Sequence, residues 1–433
     1  MSDDADLPPE TPPGITPPSL LGRVRTLAVD LTPLQRNRQF RLLWTGETIS
    51  DMGSHITAVA VPYQVFLITR SSLAVGLIAL CELFPLLTLS VIGGTIADRI
   101  ERRRLLRFAY ILLPVLSAAL ALNAHFARPH LWALYVFATL SAAAYALYSP
   151  AVRSAPPLLF PKEDLPAVFA LRSVSYNFGS LAGPAVGGLL IATIGFTGTY
   201  LVDAASFLVS LATLSMMDPL PLAKHEIPER FLDALGEGFR FLKGRPVLRS
   251  TFTFDLDAMI FGMPMALFPA MAFRLGGGAR TAGLLYAAPN AGSILITLLS
   301  GRAKHVRLQG QAVMASIVVW GAAIVAFGLS RSLWLALLAL AVAGAADMWS
   351  GIFRTTIAQA VVPDAMRGRL SGIELAVVAT GPSIGDLEAG VVGSLVSVPF
   401  SIVSGGIACI AGVFVLGLLV PEFARYDAKN PTP

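Results

Sequence analysis

The sequence predicts an all-α integral membrane protein whose twelve transmembrane helices form two six-helix pseudo-repeats. Three observations carry that prediction. Hydrophobic residues make up 55% of the 433-residue chain and charged residues 14%, with a mean hydropathy of +0.69. No water-soluble core absorbs so much apolar sequence, so the bilayer must act as solvent. Twelve segments reach the roughly 20 apolar residues that crossing the hydrocarbon requires. An internal repeat at an offset of 202 residues aligns Pro161 with Pro363, Gly179 with Gly381, Gly183 with Gly385 and Gly188 with Gly390.

The segments read 42–68, 73–97, 104–126, 130–152, 167–194 and 197–217 in the first half. In the second they read 247–273, 280–301, 311–330, 332–361, 370–396 and 399–420. They divide the chain into a cytosolic tail (1–35), an N-terminal bundle (36–217), a cytosolic linker (218–246), a C-terminal bundle (247–422) and a closing tail (423–433). Residues 1–20 hold six prolines and four acids but no Lys or Arg. That tail lacks the basic start and apolar core of a signal peptide and reads as disordered.

Helix one follows the basic anchor Arg36, Arg38 and Arg41 and carries Glu47, Asp51 and His55. Steps of four residues keep these three on one stripe, drifting by about 40° per step. Ionisable groups inside a membrane are costly and face a cavity or a partner, and histidine is the side-chain type that titrates near neutrality. Glu47, Asp51 and His55 are therefore candidate proton carriers. The plainer reading makes Asp51 with His55 a structural pair and Glu47 an interfacial residue.

Helices two and three are joined by Gly93-Gly94-Thr95-Ile96-Ala97-Asp98-Arg99-Ile100-Glu101-Arg102-Arg103-Arg104. Glycine lets helix two approach a neighbour, and Asp98 can accept charge-assisted bonds from a helix N-terminus or an arginine. Gly94, Asp98, Arg99, Arg102 and Arg103 form a candidate gate; the alternative is a solvated basic loop. The matching loop Gly301–Arg307 keeps the glycine and the basic residues without an acid, whereas Pro363–Arg369 keeps both signs.

Helix five holds Gly179-Ser180-Leu181-Ala182-Gly183-Pro184-Ala185-Val186-Gly187-Gly188. Glycines four apart lay a groove that admits a neighbouring backbone. Pro184 removes one intrahelical hydrogen bond and bends the helix, which a membrane tolerates only where other protein groups satisfy the freed backbone. Gly179, Gly183, Pro184, Gly187 and Gly188 thus mark a packing site between helices. Past helix six, an amphipathic run through Phe231, Leu235, Phe239 and Leu242 predicts a helix on the membrane surface.

Further intramembrane charges are Glu82, Asp203, Asp255, Asp257, Asp347, Arg354, Glu374, Asp386 and Glu388. Asp347 and Arg354, seven apart, share a face of helix ten. Asp347 and Asp255 are the next candidates for a proton, whereas Glu82 and Asp203 read as helix-contact residues. The excess of acids fits protons or cationic guests, and fits an anion less well unless Arg153, Arg172 or Arg354 faces the lumen. Arg354, Asn177, Tyr148 and Asn290 are candidate cavity residues.

With both termini inside, 26 of the 32 Lys and Arg fall on cytosolic segments. Arg70, Arg128, Arg274, Arg280 and Arg331 fall outside. The basic balance is therefore a topology signal, not a nucleic-acid footprint. Cys81 and Cys409 sit in apolar segments of opposite halves and form neither a disulfide framework nor a metal site. No phosphate-cradling G-x-x-x-x-G-K occurs, and no cofactor or metal is expected.

The helix two–three loop is similar to the G-x-x-x-D-R-x-G-R-R gate motif of the major facilitator superfamily, with Glu101 in place of the usual second glycine. The helix-five pattern resembles the antiporter motif of that superfamily's exporters. From about Arg38 to Glu422 the chain resembles its enterobactin exporter group. That likeness also rests on Asn37-Arg38-Gln39-Phe40-Arg41-Leu42-Leu43-Trp44, Val61-Pro62-Tyr63-Gln64-Val65 and Leu285-Tyr286-Ala287-Ala288-Pro289. The resemblance implies a monomeric carrier, not an enzyme, in the bacterial cytoplasmic membrane. It implies a cavity between two halves and proton-coupled export of a small organic molecule, a siderophore or a hydrophobic drug. Broad multidrug efflux is the alternative, with import or membrane sensing less favoured.

Overall fold

The computed structural model describes residues 30–99, 101–219 and 231–429, with side chains at all of these except 90–99, 231–235 and 364–365. The tail over 1–29, the linker stretch 220–230 and the side chains of Gly94, Asp98 and Arg99 lie outside the described residues. Among those described, every regular element is helical. The first four long helices are α1 (Arg38–Thr69), α2 (Ser72–Arg99), α3 (Arg102–His125) and α4 (Leu131–Arg153). A fifth, Leu165–Ser215, runs for 51 residues. Straight, it would extend about 75 Å, more than twice the roughly 30 Å of hydrocarbon. It turns instead at Gly195, whose φ of 72° and ψ of −179° suit glycine alone. Its arms, 165–194 and 196–215, are α5 and α6.

The remaining helices are α7 (Pro246–Gly262), α8 (Ala279–Leu299), α9 (Gln309–Leu329), α10 (Leu333–Val361), α11 (Asp364–Leu395) and α12 (Val398–Leu419). Ten helices among the described residues are long and apolar enough to cross a membrane. The twelve-span expectation adds two segments that composition alone does not count. One comes from the division of Leu165–Ser215 at Gly195. The other is α1, 32 residues long but made too polar by side chains such as Asp51, His55 and Gln64.

Helix starts follow local chemistry. Asn37 caps α1 by accepting from Phe40 N–H at 3.0 Å, and Ser397 caps α12 through Phe400 N–H at 3.3 Å. Pro246 opens α7, where its missing N–H costs nothing. Large apolar side chains point outward from the bundle, with Trp334 80% and Leu418 83% exposed. An apolar exterior on this scale is a surface for lipid.

The continuous apolar run read over 247–273 contains a break. α7 ends at Gly262, and the chain passes Met263 and Pro264 and a short 3-10 turn, Met265–Leu267, into helix Phe268–Arg274. Three neighbouring helices satisfy the freed backbone, as a membrane requires. Trp320 Nε1 of α9 donates to Gly262 O at 3.0 Å. Tyr286 Oη of α8 donates to Met265 O at 3.0 Å. Asp386 Oδ1 of α11 accepts from Ala266 N–H at 2.7 Å.

The amphipathic run forms helix Phe231–Leu242. It leans on α11: Leu242 is buried with Leu370 and Ile373, and Glu237 pairs with Arg369 at 2.7 Å. Phe239 stays 60% exposed, so part of the apolar face remains for a membrane surface.

Candidate functional site

Helices α1–α6 meet α7–α12 along two close seams near the bundle end that carries Arg70 and Arg280. At the first, Gly76 of α2 lies against the Asp386 backbone, and a side chain at Gly390 of α11 would meet Ser72 O at 2.8 Å. At the second, a side chain on Gly188 of α5 would meet Gly283 Cα of α8 at 2.9 Å. Only glycine permits backbones this close. Asn290 of α8 also donates to Ser180 O of α5 at 2.9 Å.

Beneath these seams lies a cavity of about 600 Å³, within the usual size for a small-molecule site. Its walls are mostly apolar. Glu82 of α2, Asp203 of α6 and Asp386 of α11 reach it, as does His55 of α1. Tyr145, Tyr148 and Tyr176 supply aromatic surface. Tyr145 and Tyr148 meet edge-on at 5.7 Å between ring centres, and Tyr176 meets His55 in the same manner at 5.8 Å. No Lys or Arg among the described residues lines the cavity.

The motifs on helices one and five come together in space. Asp51 and His55 lie 3.6 Å apart, Oδ2 to Nε2, too far for a good hydrogen bond. Neither atom has another hydrogen-bond partner among the described residues. The pair sits against the glycine run of α5. A methyl at Gly179 would lie 2.8 Å from Asp51 Oδ2 and 3.3 Å from His55 Cδ2, and one at Gly183 would collide with His55 Cβ. Gly187 faces the Ile56 backbone, and Gly188, next along, makes the seam with α8. One glycine run therefore touches both the titratable pair and the opposing half.

Other expected charges pair within the protein. Glu47 meets Arg172 at 3.5 Å. Arg354 pairs with Asp255 and lies 3.9 Å from Asp347, so it does not reach the cavity. Asp347 borders a second pocket of about 50 Å³ beside the break in α7. Tyr148 and Asn290 line the large cavity, whereas Asn177 is half-buried outside its lining and bonds to Ser173. Arg102 donates to Ser154 Oγ at 2.8 Å. Arg103 caps the end of α6 through Leu214 O at 3.2 Å and Ser215 O at 2.8 Å, a favourable place for a cation. Among the described residues no group of His, Cys, Asp and Glu could hold a metal ion.

Glu82, Asp203 and Asp386 carry more of the cavity than their sequence suggested. Asp203, 1% exposed, accepts from Ser117 Oγ at 2.7 Å and fits beside Gly53 of α1. The one sequence signal for all three was an acid at membrane depth with no basic residue nearby.

Residues 28–432 match the model of the family described as transmembrane secretion effector. The enterobactin exporter EntS of Shigella flexneri is 30% identical over 404 residues, 93% of this chain and 97% of that protein. The enterobactin exporter EntS of Citrobacter koseri is 29% identical over 405 residues, 94% and 97% of the two chains. Among solved structures, a bacterial homologue of the lysosomal transporter Spinster, inward-facing and unoccupied, is similar with a TM-score of 0.68 at 16% identity, covering 89% and 95%. A bacterial homologue of the iron transporter ferroportin, inward-facing, gives 0.66 at 15%, covering 89% and 98%.

Proposed function

This chain belongs to the transmembrane secretion effector family of the major facilitator superfamily, and on that premise we propose that it exports a small organic molecule across the cytoplasmic membrane, driven by protons moving inward. It is a multi-pass membrane transporter and not an enzyme. In the proposed topology both termini are cytosolic, which the placement of the basic residues supports. Bundles 36–217 and 247–422 rock about the linker as a monomer in the lipid. The seams beside Arg70 and Arg280 then close the outer side, leaving the cavity to the cytosol, as in the neighbours titled inward-facing.

The observation that carries the reading is the glycine run of α5, lying against Asp51 and His55 on one side and the seam with α8 on the other. A proton on the pair changes its charge at the surface where α1 and α5 pack. The turn of α5 that follows makes the contact that must part for the outside to open. Cargo binds from the cytosol, the seams open and the cargo leaves. The pair takes a proton outside and releases it inward as the empty carrier resets. Each ligand shifts the equilibrium only by its different affinity for the two states.

The relatives' names support a siderophore as cargo. The mostly apolar walls and three tyrosines favour a second reading, a hydrophobic drug. Cells with and without the protein test both, by siderophore secretion and by accumulation of a cationic dye, each repeated after the proton gradient is collapsed. A gradient-dependent change in either is expected. No change in both contradicts export.

A further inference from the structure

We infer that the cavity selects its guest by charge, holding an aromatic cation with the positive end between Glu82 and Asp386 and the rings among Tyr145, Tyr148 and Tyr176. This rests on the cavity being the cargo site of the proposed exporter.

Three carboxylates line the cavity and no Lys or Arg among the described residues does. The arginines that could have balanced them are engaged elsewhere, Arg172 with Glu47 and Arg354 with Asp255 and Asp347. Two of the acids have a structural explanation. Asp386 satisfies the Ala266 N–H at the break in α7, and Asp203 accepts from Ser117. Glu82 has neither a hydrogen bond nor a basic partner among the described residues. It lines the same cavity as Asp386 of the opposing half. Two acids that line one cavity without a counter-ion repel each other until a cation arrives. Asp386 has acceptor capacity beyond its bond to Ala266, since a carboxylate accepts several bonds.

The tyrosines provide the other half of the recognition. Aromatic faces attract cations and stack on rings, and a volume of about 600 Å³ admits a polycyclic guest. An anion of the same shape would meet Glu82 and Asp386 with no compensating donor of positive charge.

The test is equilibrium binding to the purified full-length protein of two ions of nearly equal size and opposite charge, tetraphenylphosphonium and tetraphenylborate. Each is measured on wild type and on Glu82→Gln. Glutamine keeps the shape, and Glu82 holds no bond whose loss would unfold the site. Comparing the two proteins cancels partitioning into detergent. The phosphonium is expected to bind at least about tenfold more tightly than the borate, and Glu82→Gln to remove most of that preference. Equal binding of both ions, an unchanged preference in Glu82→Gln, or no binding of either would overturn the inference. Charge-selective binding without proton-driven export would leave it standing and contradict only the export reading.

Discussion

The two copies of the glycine motif, on α5 and α11, have the same backbone spacing and opposite chemistry. On α5, Gly179 and Gly183 receive Asp51 and His55 of α1; on α11, Gly381 and Gly385 receive Met259 and Ile260 of α7. The last glycine of each run, Gly188 or Gly390, makes a seam with the opposing half. Glycine spacing therefore encodes close packing in both halves, while the residues facing it decide what each half can do. The first half presents a titratable pair. The second presents a thioether there, and its Asp255–Arg354–Asp347 charge cluster forms between α7 and α10.

The largest expected effect comes from breaking that cluster. Arg354→Ala leaves Asp255, 10% exposed, without its counter-charge and should destabilise the protein by about 3–5 kcal/mol. Thermal unfolding of the solubilised protein reads this, and replacing both partners by apolar residues should recover most of it. A neutral Arg354→Ala would mean that the cluster is not a structural pairing, and the contrast between the halves would fail.

Gly183→Ala comes next. Its methyl meets His55 Cβ, which cannot swing aside as a side-chain tip can. Overpacking of this kind costs about 1–3 kcal/mol and should lower transport at least tenfold. Gly381→Ala meets Met259 Cβ and Sδ, both at 2.9 Å, a milder overlap than at Gly183 and one whose thioether end can repack, so transport should fall by less than about twofold. Equal losses in the two variants would erase the difference between the motifs.

The smallest effect is expected at the Arg307–Asp427 bridge, on the surface where the closing tail meets the loop before α9. Arg307 Nη2 lies 2.6 Å from Asp427 Oδ2, and its hydrogen bonds hold the Asp427 carboxyl below the usual carboxylate range. A lowered carboxyl contributes above its unfolded pKa, and the contribution disappears only as pH falls through the folded one. Between about pH 6 and 8 it is therefore constant. Asp427→Asn should leave the pH profile of transport unchanged in that window. A shifted profile would place pH sensing outside α1.

Hydropathy made the spans legible because apolar length is what the bilayer selects, and the end of helix five before Gly195 was visible in the same way. The break in α7 was hidden because the apolar run continues through Met263 and Pro264, and its repair depends on Trp320, Tyr286 and Asp386 from distant helices. Asp51 and His55 shared a stripe by spacing alone. That Gly179 and Gly183 seat them was not legible, since nothing local links helix one to helix five. Glu82 and Asp386 were hidden for the same reason, because they come to line one cavity only where the halves close.

The central claim is that the pair seated on α5 carries the coupling, and accumulation of cargo in inverted membrane vesicles under an imposed pH gradient, acid inside, tests it most directly. The cargo is whichever the secretion and dye assays identify. Asp51→Asn should abolish gradient-driven accumulation while cargo exchange at equal pH on both sides continues. Accumulation at the wild-type level in Asp51→Asn would contradict the account.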